Sequence, residues 1–194
     1  MSQYLLMNRN TYLTLNIGES MREQISKLIV DERVKIMDKD SLHITFLFCG
    51  ELLHKISNND LVIWNIMLNE MISECSVPHM NVIDFALFPP EKQNLIVAIM
   101  HVSPSIIELQ KQIVEYTDSL GGTFSEIANM NRDWIPHITL GKIQAKKSEV
   151  KQVGTDIINN FSSYTDSHNS DGISVSGMMP IRMNDGLKFS KFKG

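Results

Sequence analysis

Apolar and polar residues alternate along several short stretches of the chain, and this alternation predicts β-strands with one buried face. The pattern predicts strands over 12–17, 34–37, 42–49, 80–88, 95–100 and 134–143. Between these strands, apolar residues recur at helical spacing, which predicts helices over 19–31, 59–75, 103–120 and 147–161. The polar stretch 162–172 predicts a mobile loop, and a closing hairpin is expected between residues 173 and 189.

The order of these predicted elements excludes one common architecture. Helices do not alternate regularly with strands, and no Gly-rich turn joins a strand to a helix, so a doubly wound parallel sheet is not expected. An α+β fold with antiparallel sheets fits the order better. The 194 residues suit a single domain, and the similar first and second halves predict two lobes within it.

Composition and charge narrow the class of protein. With 43% hydrophobic residues and a net charge of −4, the chain is neither disordered nor a general polyanion binder. Two cysteines cannot build a disulfide framework or a cysteine-rich zinc site. No apolar run approaches the roughly 20 residues needed to cross a bilayer, and residues 1–10 do not resemble a secretory signal. We therefore expect a monomeric cytoplasmic protein, with the nucleus as an alternative, and no membrane partner.

The tripeptide His-Ile-Thr occurs twice, each time within a predicted strand. The first copy is His43 to Thr45, and the second is His137 to Thr139. Because side chains two residues apart share one face of a strand, each copy places an imidazole and a hydroxyl on the same surface. If the two halves pack as lobes, both pairs face one cleft.

This residue set suits phosphoryl chemistry. Two imidazoles supply a general base and a general acid near neutral pH, and two hydroxyls donate hydrogen bonds to phosphate oxygens. Neither a metal nor a cofactor is required. A single His-x-Ser or His-x-Thr is common, and the near-copies at His101 and His168 are interpreted as incidental. The structural alternative, in which both histidines are ordinary strand residues, remains open.

The two motifs resemble those of the two-histidine (2H) phosphoesterase superfamily, and most of all its LigT-like RNA 2′,3′-cyclic phosphodiesterases. The stretch 42–51 (LHITFLFCGE) is similar to the first family motif, and 132–142 (RDWIPHITLGK) is similar to the second. The resemblance covers about residues 11 to 178. It implies a bilobal, pseudo-two-fold fold in which two antiparallel sheets face a central cleft and the helices lie outside.

The resemblance also implies functional roles. His43 would be the acid, His137 the base, and Thr45 and Thr139 would bind phosphate. The family pattern further suggests four substrate-binding residues, which are Arg132, Trp134, Lys142 and Phe48. Lys142 stands where the family usually has arginine, so it keeps the charge and loses the bidentate geometry. The implied reaction opens an RNA or nucleotide 2′,3′-cyclic phosphate to a 2′-phosphate.

Two alternatives to this reaction stay open from the sequence. Within the same superfamily, the substrate could be a 2′,5′-oligoadenylate or a cyclic nucleotide. In a different class of function, the chain would bind a nucleotide or RNA without catalysis. A short basic group at Lys188, Lys191 and Lys193 is interpreted as a solvated terminus.

Overall fold

The computed structural model describes residues 11–17, 19–28, 31–73 and 80–168. Within these residues the chain forms six strands, five α-helices and two short 3-10 helices. The strands are β1 (Thr11–Asn16), β2 (Val34–Ile36), β3 (His43–Gly50), β4 (Met80–Phe88), β5 (Leu95–Val102) and β6 (His137–Ile143). The helices are α1 (Glu19–Ser26), α2 (Asn58–Ser73), α3 (Pro104–Ser119), α4 (Thr123–Met130) and α5 (Val150–His168). The 3-10 helices are Lys39–Ser41 and Leu52–Lys55.

All six predicted strands and all four predicted helices are present, with boundaries shifted by a few residues. The stretch 124–133, which carried no prediction, is largely the helix α4. The predicted loop over 162–172 is wrong for its first part, because α5 continues to His168. Residues 162–168 contain neither glycine nor proline, so nothing in the sequence stops helix propagation there. The rest of that loop, the closing hairpin and the lysines of the C-terminal end lie outside the described residues.

The described strands form one antiparallel sheet in the order β1-β3-β6-β5-β4, and β2 pairs with β6 beyond this path. The α+β class and the antiparallel pairing are therefore confirmed. The expectation of two separate sheets is not met in this part of the chain, because β3 and β6 pair at Ile44 and Ile138 and join the halves. The bilobal pseudo-two-fold arrangement stays a prediction.

Both central strands carry a β-bulge directly after the His-Ile-Thr tripeptide. The register against β1 skips Phe46, and the register against β5 skips Leu140. An extra residue restarts the alternation of side chains, so two consecutive residues point toward the core. The burial patterns of β3 and β6 are consequently the same over seven positions: intermediate, buried, intermediate, buried, buried, exposed, buried.

The core lies between the sheet and the helices. Ile44, Phe46 and Ile138 are fully buried on the sheet face opposite the two imidazoles. Helix α5 packs against β4 and β6, and its Gly154 permits the close approach. A Cβ atom at Gly154 would lie 2.5 Å from Leu87 Cδ2 and 2.8 Å from Ile143 Cδ1. The packing of one sheet face against helices leaves the other face for the site.

Candidate functional site

The two His-Ile-Thr strands meet at their central isoleucines. Ile44 and Ile138 are paired residues on antiparallel strands, and both side chains are buried. Antiparallel geometry therefore places His43 opposite Thr139 and Thr45 opposite His137, all four on the other face. The two histidines then lie on a diagonal, for which residues are about 7–8 Å apart and their Cβ atoms somewhat closer.

Each imidazole is held in the same way by the backbone two residues before it. His43 Nδ1 lies 2.7 Å from the carbonyl oxygen of Ser41, and His137 Nδ1 lies 2.7 Å from that of Ile135. Because a carbonyl only accepts, Nδ1 carries the proton and donates in both cases. In the neutral ring, Nε2 is then the free acceptor, which is the arrangement that a general base requires.

Each imidazole also lies against an aromatic ring. Tyr12 stacks on His43 with ring centroids 5.0 Å apart and planes 12° apart. Phe88 lies on His137 with centroids 4.4 Å apart and planes 36° apart. Both rings come from strands on the outer sides of the sheet, and sequence reasoning missed both. No signal near Tyr12 or Phe88 in the sequence marks them, because the contacts join residues about 31 and 49 positions apart.

Burial lowers the pKa of both histidines. For His43 the largest cause is desolvation, and the positive charges of His137 and Arg22 lower it further, while the bond to Ser41 opposes the shift. For His137 desolvation again dominates, and the bond to Ile135 opposes it. Both groups therefore favour the neutral form in the free protein. An anion between them would reverse part of this effect.

The hydroxyls of Thr45 and Thr139 are available to a ligand. Both side chains are half-buried and lie on the imidazole face. Within the described part of the chain, neither hydroxyl forms a hydrogen bond with another protein group. Each can donate to a phosphate oxygen placed between the two strands.

The bulges bring Phe48 and Lys142 to the same face as the imidazoles. Both occupy the exposed sixth position of the shared burial pattern. Phe48 is held by Asn131, whose Oδ1 accepts from its backbone N–H and whose Nδ2 donates to its carbonyl, both at 2.7 Å. Lys142 lies directly opposite Lys35 of β2, so two ammonium groups share one part of this face. The roles of Phe48 and Lys142 in substrate binding stay predictions.

Arg132 and Trp134, the other two residues that the family pattern suggests for substrate binding, contact protein groups in the structure. Arg132 Nη2 donates to Asp118 Oδ2 at 2.7 Å, and its Nε donates to Asn129 Oδ1 at 2.9 Å. Trp134 Nε1 donates to the Thr45 carbonyl oxygen at 2.8 Å. The Trp134 ring also packs edge-on against the buried Phe46, with centroids 5.3 Å apart. The Arg132 contact ties the turn before β6 to the end of α3, and the Trp134 contact holds the backbone of Thr45.

Other features of the described residues lie apart from this site. A cavity of about 390 Å³ between the N-terminal ends of α2 and α4 is lined by Lys55, Asp60 and Phe124 among others, and by no residue of β3 or β6. No three His, Cys, Asp or Glu residues of the described ranges lie together as metal ligands. None of the helices described here is both long and apolar enough to cross a bilayer.

Comparison with known proteins gives one curated relative and several solved structures. A protein of Methanocaldococcus jannaschii named RNA 2′,3′-cyclic phosphodiesterase is 26% identical over 140 residues, covering 69% of this chain and 70% of the relative. TT0787 of Thermus thermophilus superimposes with a TM-score of 0.57 at 19% identity, over 72% of this chain and 76% of that one. Apo LigT of E. coli gives 0.50 at 17% identity, over 71% and 74%.

No protein-family model matches the chain. The curated relative is named an RNA 2′,3′-cyclic phosphodiesterase, and the two solved structures share the fold of this chain. The resemblance to LigT-like 2H phosphoesterases, which the two motifs indicate, is thereby confirmed.

Proposed function

We propose that this chain, which resembles the 2H phosphoesterases in sequence and in fold, is a phosphodiesterase that opens 2′,3′-cyclic phosphates on RNA or nucleotides. One observation carries the proposal. The two His-Ile-Thr strands pair at Ile44 and Ile138, so two imidazoles and two hydroxyls share one sheet face. The name of the Methanocaldococcus jannaschii relative supports the choice of substrate.

In the proposed reaction the cyclic phosphate lies between the imidazoles. His137 Nε2 takes a proton from a water molecule, whose oxygen forms a bond to phosphorus. The bond from phosphorus to the ribose 3′ oxygen breaks, and His43 Nε2 gives that oxygen a proton. The product is a 2′-phosphate, and one proton transfer from His137 to solvent and one to His43 restore the site.

The negative charge of the substrate favours the protonated His43 that this reaction needs. Burial disfavours the imidazolium that His43 must supply as the acid. The phosphodiester carries a negative charge, which attracts a proton on a nearby imidazole and raises its pKa. The protonated His43 is therefore formed with the substrate bound rather than in the free protein. The aromatic rings exclude water and strengthen this attraction.

Thr45 and Thr139 donate hydrogen bonds to the non-bridging phosphate oxygens, where charge increases in the transition state. Phe48 offers a ring on which a base of the substrate stacks, and Lys142 contacts a further phosphate of the RNA. Trp134 positions Thr45 through its backbone carbonyl. Arg132 acts at a distance by holding the turn before β6 against Asp118. The site needs no metal for these steps.

The test measures hydrolysis of 2′,3′-cyclic nucleotides and of RNA with a 2′,3′-cyclic end, with EDTA present. We expect turnover to a 2′-phosphate, identified by phosphorus NMR, and a bell-shaped dependence on pH. His43→Ala and His137→Ala should each lower kcat by about 10²–10⁴-fold, the usual contribution of a positioned acid or base. His54→Ala is the matched control, because His54 is exposed on the 3-10 helix Leu52–Lys55 and not on the strands that form the imidazole face.

Full activity after both substitutions at His43 and His137 would contradict the proposal. Cleavage of 2′,5′-linked oligoadenylate or of a cyclic nucleotide, with RNA 2′,3′-cyclic ends left intact, would instead assign the chain one of the other substrates of the superfamily. Saturable binding of nucleotide without any product would favour the binding function.

A further inference from the structure

We infer that Arg22 of α1 binds the phosphate of the substrate from the side of His43. This inference rests on the proposed function and adds a positively charged side chain that binds the phosphate in the same site. No sequence motif marks Arg22.

Helix α1 lies beside the strand that bears His43. It packs on the 3-10 helix Lys39–Ser41, and Lys39 Nζ pairs with Glu19 Oε1 at 3.2 Å to tie the two together. The same 3-10 helix ends at Ser41, whose carbonyl oxygen holds His43 Nδ1. Arg22 and the buried Ile25 are three residues apart, so they share the inward face of α1. The positive charge of Arg22 acts on the His43 imidazole from this side and lowers its pKa, in addition to the larger effect of burial.

One donor of the half-buried Arg22 side chain lacks the acceptor that a buried N–H normally has. Its Nε is fully buried and forms no hydrogen bond. None of the ion pairs formed among the described residues includes Arg22. A buried donor without an acceptor costs free energy, and a charged donor costs more. An anion beside His43 would supply the missing acceptor.

The other two described arginines are already paired. Arg33 makes a two-point contact with Asp31, through Nε at 3.0 Å and Nη2 at 2.8 Å. Arg132, which the family pattern suggests as a substrate contact, is paired with Asp118. Arg22 is therefore the arginine of the described ranges that forms no ion pair with another described residue. The planar guanidinium suits two oxygens of one phosphate.

This position gives Arg22 a second effect. In the free protein, burial beneath the Tyr12 ring is the main obstacle to protonation of His43, and the charges of His137 and Arg22 add to it. A phosphate bound to Arg22 cancels that charge and adds its own negative charge beside the imidazole. His43 then gains its proton when the anion arrives, which is the moment at which an acid is needed.

The experiment compares Arg22→Gln and Arg22→Lys with the unaltered protein. Inorganic phosphate is titrated against each protein by NMR, and kcat and KM are measured with a 2′,3′-cyclic nucleotide. Loss of one charge-assisted hydrogen bond predicts about tenfold or greater weakening of phosphate binding, and a similar rise in KM, for Arg22→Gln. Arg22→Lys should retain part of the affinity because it keeps the charge.

The imidazole NMR titration of His43 separates binding from a merely structural role. In Arg22→Gln without phosphate, the pKa of His43 should rise, because one positive charge is gone. Phosphate should then raise that pKa further by less than it does in the unaltered protein. Arg33→Gln is the matched control, since Arg33 is exposed and paired with Asp31, and it should change none of these quantities.

Unchanged phosphate affinity and unchanged KM in Arg22→Gln would overturn the inference while leaving the proposed function intact. Phosphate binding that depends on Arg22, in a protein without turnover, would support the inference and contradict the proposed function. If Arg22→Gln does not fold, Arg22→Lys alone decides, because an unchanged affinity and an unchanged pKa of His43 with phosphate bound would overturn the two-point contact.

Discussion

Each of the two imidazoles is restrained on two sides, by a backbone carbonyl at Nδ1 and by an aromatic ring on its face. The carbonyl fixes the tautomer, and the ring excludes water and lowers the pKa. The carbonyl contact follows from the local turn, since Ser41 and Ile135 stand two residues before their histidines. The ring contact is non-local, so the two restraints can be removed separately by substitution.

The ring of Phe88 gives the first prediction at this scale. Phe88→Ala removes the aromatic surface that shields His137, so the pKa of His137 should rise toward the ordinary value of 6.5. The acidic limb of the pH-rate profile should move to higher pH by the same amount, if His137 is the base. An NMR titration of His137 checks the shift directly.

Phe161→Ala is the matched control for Phe88→Ala. It also removes a phenyl ring, but that ring lies on Phe85, with centroids 5.3 Å apart, and touches neither imidazole. The pKa of His137 should not change in this variant. A constant or lower pKa in Phe88→Ala would show that the ring does not shield the imidazole.

The strands β3 and β6 share more than their common tripeptide. Both bulge at the residue after His-Ile-Thr, and both expose the sixth residue of the strand on the imidazole face. Strict alternation in the sequence correctly places the histidines and threonines opposite Ile44 and Ile138. It would place Phe48 with the core, because a bulge depends on the neighbouring strand and leaves no fixed mark in the sequence.

Helix α5 also shows an effect that depends on tertiary packing. Its Gly154 lowers helix propensity, and the contacts of α5 explain why a glycine stands there. Glycine within a helix costs about 1 kcal/mol relative to alanine, so propensity alone predicts that Gly154→Ala stabilises the protein. The contacts predict the opposite. A Cβ atom at this position would lie under 3.0 Å from atoms of Leu87 and Ile143.

Gly154→Ala should therefore lower the free energy of unfolding by about 1 kcal/mol, because overpacking of about 1–3 kcal/mol exceeds the gain in propensity. Urea denaturation measures the difference. Asn159→Ala, at an exposed position of the same helix, is the control and should leave stability unchanged or slightly raised. A higher stability of Gly154→Ala would show that α5 shifts outward without cost.

For the whole molecule, the sequence predicts the class of fold and four residues of the site, His43, Thr45, His137 and Thr139. Those residues carry a repeated local pattern on two strands. It does not predict Arg22, Tyr12 or Phe88, because each reaches the site from another element through tertiary packing. The pairing of Ile44 with Ile138 is likewise a choice between strands that no local pattern dictates.

The two buried histidines also couple the site to the stability of the whole chain. Their pKa values are lowered in the folded state from the ordinary value of 6.5. Between the lowered value and 6.5, the unfolded chain binds more protons than the folded one, so stability rises with pH across this window. Asp31 and Asp118 have lowered carboxyl pKa values, and their contribution is lost only as the pH falls below about 3.8.

We therefore expect the urea midpoint to fall as the pH is lowered from 7 to 5, and a large part of this fall to come from His43 and His137. Each unit by which folding lowers an imidazole pKa contributes up to about 1.4 kcal/mol to the loss. In the double variant His43→Gln and His137→Gln, midpoints measured over the same range should depend less on pH, whatever its absolute stability. Asn159→Ala, which changes no titratable group, is the control and should keep the full slope. An equal slope in the double variant and the unaltered protein would mean that neither imidazole is held neutral by the fold, and would remove the electrostatic basis for coupling substrate binding to protonation of His43.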